Sequence, residues 1–470
     1  MTYNLVIDIG SSRVKVLVFE AAKGVNPLYV VNKGYRFIKA DLVFNNLLEA
    51  IKALPKAYLN EIDRIVVTGL RSGFLAVDKE GRPLLDVIPW YDNRAQEEAK
   101  ALAEKIPDIF SRTGLQALPY YSAPKILWIR QRKRGLFQNA KKYLLLLDYI
   151  IYRLTDSDKF YTDPTIVNRT LLYNIRYREW DKEILDLLDI EEDKLPVVLP
   201  TGSVVGELNY KVRRSLRIGK KKIEVVIGGG DQQLALYALS DSNKDELVCN
   251  LGSGGFLLKE INDLKGMNKS FIYGVHTNNK FYIMEGVIIN FGLALDKFLK
   301  LFNEEYRALK ELPRMKTDVL VLPFFSGRGS PSWNPKLKGL IKGITLWTSK
   351  LELIKASLEG LSFEVKQIIE AFERAGHRVV DLKVTGGLAM NDNILRVLSD
   401  VTGRRLLKMK NLNSTALGGF LLSLGNRTNK FRRLVNEVEK VFEPTSDEDL
   451  KNYYEKKYDD YLNSIRAFKV

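Results

Sequence analysis

The sequence predicts an α/β protein of two domains, and three observations support that prediction. At 470 residues the chain is too long for one ordinary hydrophobic core. Strand-like apolar runs alternate with helix-like segments along most of it. The stretch VIDIGSSRVKVLVF (6–19) has a partial echo in LVCNLGSGGFLLKE (247–260), so a similar hairpin opens each of two halves. We therefore expect one domain over residues 1–240 and a second over residues 241–470.

Apolar periodicity predicts the elements of the first half in order. They are strands at 4–9, at 14–18 and within NPLYVVNKGYRF (26–37), a helix over 43–59, a strand at RIVVTGL (64–70), helices over 94–106 and 125–153, a strand at IEVVIGGGD (223–231) and a helix at QQLALYALS (232–240).

The second half repeats the opening of strand, small-residue turn and strand. Its further elements are strands near 271–275 and 281–284, helices over 287–303 and 350–375, a strand at DLKVTGG (381–387), helices over 391–402 and 414–425, and a charged helical tail from about 430.

Composition excludes several classes of protein. The single cysteine, Cys249, excludes a disulfide framework and a cysteine-rich metal site. With only His276 and His377, a histidine metal site or a Ser-His-Asp triad is not expected. No run of about 18 apolar residues predicts a membrane span, and the N-terminus lacks a basic and apolar leader. We therefore expect a cytoplasmic protein.

The charge balance leaves several partners open. With 73 basic and 57 acidic residues the net charge is +16, which suits a nucleic acid, an anionic substrate or a charge-rich surface. Abundant Lys, Arg and Glu with scarce Cys is also typical of thermophile proteins. The densest basic run, KVRRSLRIGKKK (211–222), is interpreted as a solvated loop because no aromatic residues interleave it, and no nucleic-acid partner is expected.

The first hairpin turn has the composition of a phosphate site. Gly10, Ser11 and Ser12 let backbone N–H groups approach an anion, and the hydroxyls add donors. Asp8 before the turn could hold a hydrated Mg²⁺, and Lys15 adds positive charge. A plain tight hairpin is the alternative.

The second hairpin turn, Gly252, Ser253 and Gly254, favours the phosphate interpretation. Two such cradles, one in each domain, would face each other across a cleft between the domains.

Two glycine-rich strand ends provide further candidates. In GGGDQQ (228–233), Asp231 is placed to accept a proton from a hydroxyl, or only to cap the following helix. In VTGGLAMNDN (384–393), Gly386 and Gly387 could let a flat base lie on the backbone. Asn391 could bind that ligand or cap a helix. The chain has no GxxxxGK[ST] phosphate loop.

Taken together, these motifs resemble the FGGY family of carbohydrate kinases, in the actin, hexokinase and Hsp70 superfamily. The matching segments, which run nearly end to end, include DIGSSRVKVLVF (8–19), SAPKILWIRQ (122–131), LLLLDYIIYRLTD (144–156), GGGDQQ (228–233), NLGSGGF (250–256), VTGGLAMNDNILRVLSDVTGRRL (384–406) and STALGGFLLS (414–423). The resemblance implies two ribonuclease-H-like domains, a catalytic cleft between them, and ATP and Mg²⁺ as cofactors. It implies Asp231 as general base, Asp8 at the metal and the two hairpins at the phosphates.

The substrate is less well defined. The resemblance is to xylulokinase-like members, which favours a ketopentose such as xylulose. Arg71 and Ser72 replace the usual Met-His of xylulokinases, and Arg71 suits a sugar acid such as gluconate or pairs with a neighbouring acid. The glycerol-kinase Arg-Glu pair is absent, which argues against glycerol, but a polyol such as glycerol stays an alternative acceptor. Asp92 and Gln232 are further sugar contacts by resemblance. A non-catalytic sugar sensor of the same fold is the alternative, and assembly as a homodimer is left open.

Overall fold

A computed structural model describes residues 2–35, 38–219, 222–240 and 245–467. Residues 36–37, which end the predicted third strand, and residues 241–244, which follow the predicted domain boundary, lie outside that description. Within the described ranges, no helix combines the length and apolar character needed to cross a membrane.

The strands and helices are numbered in chain order. The strands are β1 (Tyr3–Ile9), β2 (Arg13–Glu20), β3 (Tyr29–Gly34), β4 (Ile62–Gly69), β5 (Phe74–Val77), β6 (Lys142–Leu145), β7 (Tyr161–Thr162), β8 (Tyr173–Asn174), β9 (Glu179–Trp180), β10 (Val197–Val198), β11 (Val204–Glu207), β12 (Glu224–Gly230), β13 (Glu246–Leu251), β14 (Gly255–Ile261), β15 (Ile272–Val275), β16 (Tyr282–Ile288), β17 (Leu320–Leu322), β18 (Leu340–Lys342), β19 (Asp381–Thr385), β20 (Arg405–Met409) and β21 (Val438–Phe442). The helices are α1 (Ala40–Lys52), α2 (Lys56–Leu59), α3 (Gln96–Lys105), α4 (Ile109–Thr113), α5 (Ser122–Arg132), α6 (Arg134–Asn139), α7 (Leu146–Leu154), α8 (Pro164–Val167), α9 (Lys182–Leu188), α10 (Tyr210–Leu216), α11 (Asp231–Leu239), α12 (Phe291–Leu301), α13 (Lys350–Arg374), α14 (Asp392–Thr402), α15 (Ser414–Leu424), α16 (Asn429–Val435) and α17 (Glu448–Ala467).

Two large sheets organise the chain. The first has six strands in the order β11-β12-β4-β1-β2-β3, and the second has seven in the order β15-β16-β14-β13-β19-β20-β21. In the first sheet, β1 pairs antiparallel with β2 and parallel with β4. In the second, β13 pairs antiparallel with β14 and parallel with β19. The shared pairing pattern agrees with the predicted duplication.

The duplication extends to single residues at the strand ends. Asp8 of β1 lies opposite Thr68 of β4, as Asn250 of β13 lies opposite Thr385 of β19. A glycine with positive φ follows each threonine. A Cβ on Gly69 would lie 2.2 Å from the Ile9 carbonyl oxygen, and one on Gly386 would lie 2.4 Å from that of Leu251. Neither position has room for a side chain, so each hairpin packs closely against a glycine at the end of the neighbouring parallel strand.

Helix α15, from the second half, packs on the first sheet. Phe420 stacks on Phe19 of β2 with ring centroids 4.7 Å apart, and Ser423 accepts a hydrogen bond from the Asn4 amide at 2.7 Å. A Cβ on Gly418 would lie 2.2 Å from the Leu234 carbonyl oxygen of α11, so the two helices touch backbone to backbone. This crossing joins the two halves next to the first sheet.

Several predicted elements are wrong in detail. The predicted helix over 125–153 is interrupted by β6, which pairs with β5. The predicted helix over 43–59 ends before Pro55, where α2 starts anew. The start of the predicted helix over 287–303 belongs to β16, and the predicted helical tail contains β21. In the basic run, residues 210–216 form α10 rather than a loop, and residues 220–221 lie outside the described chain.

Candidate active site

The predicted site residues meet where both halves contribute side chains. Lys15 of β2 donates to the Asn413 side chain, just before α15, at 3.0 Å. Asn250 of β13 donates to Gln232 of α11 at 2.9 Å. The Thr415 hydroxyl donates to the Asp231 carbonyl oxygen at 3.1 Å. The elements that the sequence predicts around a cleft are therefore in direct contact.

The first hairpin turn presents its hydroxyls outward. The Gly10 N–H donates to the Arg13 carbonyl at 2.9 Å, which closes the turn. Ser11 and Ser12 are exposed, and Ser11 accepts from the Trp90 indole at 3.3 Å. The Tyr35 hydroxyl donates to the Gly10 carbonyl. The exposed hydroxyls leave this turn open to an anion, and its role as a phosphate site stays a prediction. No sequence signal placed Trp90 or Tyr35 here.

Asp8 is partly buried at the end of β1. Burial is the main cause that raises the pKa of its carboxyl to about 6, and the nearby Asp231 charge raises it further while Lys15 lowers it. A carboxylate that burial and a second carboxylate both disfavour is a suitable ligand for a hard cation. Within the described chain, no cluster of three His, Cys, Asp or Glu side chains forms a ready-made metal site. The donors present fit an Mg²⁺ ion that takes its remaining ligands from water and phosphate.

The second hairpin turn lies against the N-terminus of α12. The N–H groups of Gly292 and Leu293 donate to the carbonyls of Gly252 and Ser253 at 3.1 and 3.2 Å. A Cβ on Gly254 would lie 3.0 Å from the Ile288 carbonyl oxygen, so glycine is needed there for packing. Only the Gly252 and Ser253 side of this turn remains open for a ligand.

Asp231 is the first residue of α11, and the cap position is Gly230. Its side chain is 30% exposed, so it is accessible to a ligand. Its Oδ1 accepts from the Gln232 N–H at 2.9 Å and lies 3.1 Å from the Arg71 Nε. Its Oδ2 accepts from the Gln232 amide at 3.0 Å. The alternative, that Asp231 is the helix N-cap, is therefore wrong.

Arg71 belongs to a buried ion cluster. Its guanidinium donates to Glu285 of β16 at 2.7 and 3.0 Å, and Arg169 donates to the same carboxylate at 2.6 Å. Burial alone would lower the pKa of Arg71, but the charges of Glu285 and Asp231 outweigh it and raise that pKa. Burial acts to raise the pKa of Glu285, but the two arginines hold it below the ordinary range. The sequence left two roles open for Arg71, binding a sugar acid or pairing with a neighbouring acid. In the structure Arg71 pairs with the acids Glu285 and Asp231.

The glycines before Asp231 make room for protein atoms. A Cβ on Gly228 would lie 2.7 Å from the Val67 carbonyl oxygen, and one on Gly230 would lie 2.6 Å from the Arg71 side chain. At Gly229, where φ is +85°, it would lie 2.5 Å from the Thr165 hydroxyl. All three glycines are therefore required for packing within the protein. They let β4, Arg71 and Thr165 approach β12.

Two further residues that the sequence predicts to bind the nucleotide, Gly387 and Asn391, differ in their surroundings. Nothing lies within 4 Å of a Cβ built on Gly387, so its face is open, as a ligand base would require. Asn391 caps α14, because its side chain accepts from the N–H groups of Asn393 and Ile394 at 3.0 and 3.4 Å. For Asn391 the capping alternative is therefore the arrangement observed.

The predicted sugar contacts differ in availability. Ser72 is buried next to Arg71. Both Asp92 oxygens are taken by Arg94, at 2.9 and 2.7 Å. Burial acts to raise the pKa of Asp92. The hydrogen bonds and charge of Arg94, together with the charge of Lys125, outweigh it and hold that pKa below the ordinary value. Gln232, 4% exposed, connects Asp231 to Asn250. The sequence did not single out Arg169 or Glu285, which form the buried ion cluster with Arg71.

This chain is similar to known proteins over nearly its whole length. Residues 3–238 match the model of the "FGGY family of carbohydrate kinases, N-terminal domain", and residues 247–424 match its C-terminal counterpart. The chain is 30% identical over 451 residues to a glycerol kinase of Pediococcus pentosaceus, covering 90% of this chain and 88% of the relative. It is 29% identical over 474 residues to one of Saccharolobus islandicus, covering 95% and 93%. A xylulose kinase from Lactobacillus acidophilus superposes with a TM-score of 0.88 at 21% identity, covering 99% and 98%.

Proposed function

This chain belongs to the FGGY family of carbohydrate kinases, and from that premise we propose that Asp231 is the general base that activates a hydroxyl of a small uncharged polyol or sugar. The α/β fold of two domains is the one predicted for this family, and its match to a sugar kinase confirms that prediction. The enzyme is an ATP-dependent sugar or polyol kinase. The exact acceptor and the role of each residue are proposals.

The proposal rests on the exposure and the hydrogen bonding of the Asp231 side chain. Its side chain is partly exposed, yet two donors fix its Oδ1 and one fixes its Oδ2. Oδ2 therefore keeps room to accept a further proton from a substrate hydroxyl. A carboxylate held in one orientation at an accessible helix start is suited to general-base work.

The reaction assigns a task to each group. As the acceptor oxygen attacks the γ-phosphorus of ATP, its proton passes to Asp231, and the bond from that phosphorus to the bridging oxygen of ADP breaks. Ser11 and Ser12 offer hydroxyl donors to the phosphates, and Lys15 offers a charge. Asp8 would hold Mg²⁺, which supplies charge neutralisation of the phosphoryl oxygens. Catalysis of this kind depends on positioning and electrostatics more than on covalent chemistry.

The charge of the cluster favours an uncharged acceptor. Glu285 and Asp231 together balance Arg71 and Arg169, so among the described residues this cluster offers neither arginine unpaired to a carboxylate. A sugar acid such as gluconate would have to displace one of these acids from Arg71. The glycerol kinases among the relatives make glycerol the first compound to test. The ketopentose prediction remains the second, because the xylulose kinase likeness, at 21% identity, bears on the fold alone.

A coupled ADP-release assay over glycerol, ketopentoses and gluconate tests the substrate. We expect turnover with glycerol or a ketopentose and none with gluconate. Turnover with gluconate alone would contradict the charge argument. Thermal stabilisation by one compound without turnover would instead favour the sensor.

Asp231→Asn tests the base. It should bind acceptor and ATP nearly as the wild type does and lose turnover by about 10²–10⁴-fold, because the amide cannot take the proton. Near-wild-type turnover in this variant would show that Asp231 is not the base.

A further inference from the structure

Each carboxylate oxygen of Asp231 contacts a side chain that is anchored in the second half of the chain. Oδ1 lies 3.1 Å from the Nε of Arg71, which is bound by Glu285 of β16. Oδ2 accepts from Gln232, whose own carbonyl accepts from Asn250 of β13 at 2.9 Å. Asp231, Arg71 and Gln232 all belong to the first half, whereas Glu285 and Asn250 belong to the second.

Glu285 fixes the orientation of Arg71. The two parallel bonds of 2.7 and 3.0 Å hold the plane of the guanidinium, so that its Nε is directed at Asp231. The guanidinium also lies over the Phe256 ring of β14, 5.6 Å from its centroid. Glu285 is itself 1% exposed and held from a second side by Arg169. Arg71 therefore reaches from the first half into a rigid site on the second sheet.

Asn250 acts in the same way on Gln232. The side-chain NH2 of Gln232 donates to Asp231 and its side-chain oxygen accepts from Asn250. Together these two bonds fix which way the amide is turned. Asn250 is the residue that occupies, in the second hairpin, the position of Asp8 in the first. Its side chain reaches into the first half, where it supports the base.

We propose that Glu285 and Asn250 are positioning residues that aim the Asp231 carboxylate, so that the base is correctly oriented only while the two halves lie together. This inference rests on the proposed role of Asp231 as the base. This arrangement would favour transfer to the acceptor over hydrolysis of ATP. A base that is misdirected when the halves separate cannot activate water for attack on ATP.

The test compares Glu285→Gln and Asn250→Ala with the wild-type enzyme on the active acceptor. Misplacement of a reacting group by about 1 Å costs about 10²-fold, so we expect kcat to fall by roughly 10- to 100-fold in each variant. The KM values for acceptor and ATP should change by less than about 3-fold, because neither residue is among those proposed here to bind the acceptor or ATP. Asn250→Ala, at a partly buried position, keeps the test decisive if Glu285→Gln fails to fold.

Glu359→Gln is the matched control. Glu359 is 0% exposed and held by Tyr453 at 2.9 Å and by Lys355 at 3.4 Å, in a cluster around α13 that has no contact with Asp231. Its loss should reduce stability as Glu285→Gln does and leave kcat unchanged. An equal fall of kcat in Glu359→Gln would overturn the proposal, since the effect would then be general destabilisation.

Combination with Asp231→Asn separates this inference from the proposed function. If Glu285 and Asn250 act through Asp231, adding either variant to Asp231→Asn should cause no further loss of kcat. Wild-type kcat in both single variants, with Asp231→Asn inactive, would overturn only the positioning roles. An active Asp231→Asn variant would overturn the base assignment itself.

Discussion

Replacing Asp8 with asparagine should make the metal-free protein more stable while removing most of its kinase activity. The pKa of Asp8 lies at about 6 against an ordinary 3.8, chiefly because of burial and secondarily because of the Asp231 charge, with Lys15 opposing. At about 1.36 kcal/mol per pKa unit, that difference disfavours the ionised form by about 3 kcal/mol in the folded state. Asparagine keeps the shape without the charge, so Asp8→Asn should raise the free energy of unfolding by up to about 3 kcal/mol.

The gain should depend on pH in a defined direction. Below pH 3.8 Asp8 is protonated in both states, so it carries no penalty there. As pH rises from 3.8 to about 6 the folded protein keeps a proton that the unfolded chain loses, and the wild type loses stability. Above about pH 6 the penalty is complete, and the advantage of Asp8→Asn should be constant.

Urea unfolding in EDTA from about pH 5 to about pH 8 measures this difference, and the ADP-release assay measures the loss of activity. Glu364→Gln is the control, because burial raises the pKa of Glu364 to about 8 at a buried position in α13 that lies outside the site. It should also gain stability at high pH but keep full turnover. A loss of stability in Asp8→Asn at about pH 8, or a gain that does not vary with pH, would refute the reasoning.

Three further predictions concern glycines. Gly386→Ala should lower the free energy of unfolding by roughly 2 kcal/mol or more, because its φ is +92° and the new Cβ would meet the Leu251 carbonyl, whereas Gly387→Ala should change it by less than about 0.5 kcal/mol. If the nucleotide base lies on Gly387, Gly387→Ala should raise the KM for ATP, and an unchanged KM would contradict that role. Gly418→Ala should cost about 1–3 kcal/mol in the same unfolding measurement, since its Cβ would lie 2.2 Å from the Leu234 carbonyl oxygen. An unaltered midpoint would show that the α11–α15 crossing adjusts freely.

The paired hairpins could be predicted from the sequence because their signals are local. Alternation at Val14, Val16 and Val18 marks β2, and a small-residue turn precedes it. The echo at 247–260 repeats the same signals. Where a local pattern was ambiguous, the prediction was wrong. The pattern of residues 142–145 fits a helix or a strand equally well. The segment forms a strand because it pairs with β5.

The supports of the candidate base could not be predicted because they lie far apart in the chain. Glu285 is 214 residues from Arg71, and within IMEGV it resembles any residue of a half-buried strand. The role of the glycine run before Asp231 could not be predicted for another reason. A sequence shows that a side chain is missing, but it does not show whether a ligand or the protein fills the space.

The position of α15 has a consequence for how the chain acquires its structure during synthesis. Val6 of β1, Val66 of β4 and Val226 of β12 are buried against residues of α15, such as Leu417 and Phe420. The ribosome makes these strands almost two hundred residues or more before that helix. A nascent chain that ends near residue 240 therefore exposes an apolar face of its first sheet until residues 414–424 emerge. Such a face is prone to aggregation and is a natural target for chaperones while translation continues.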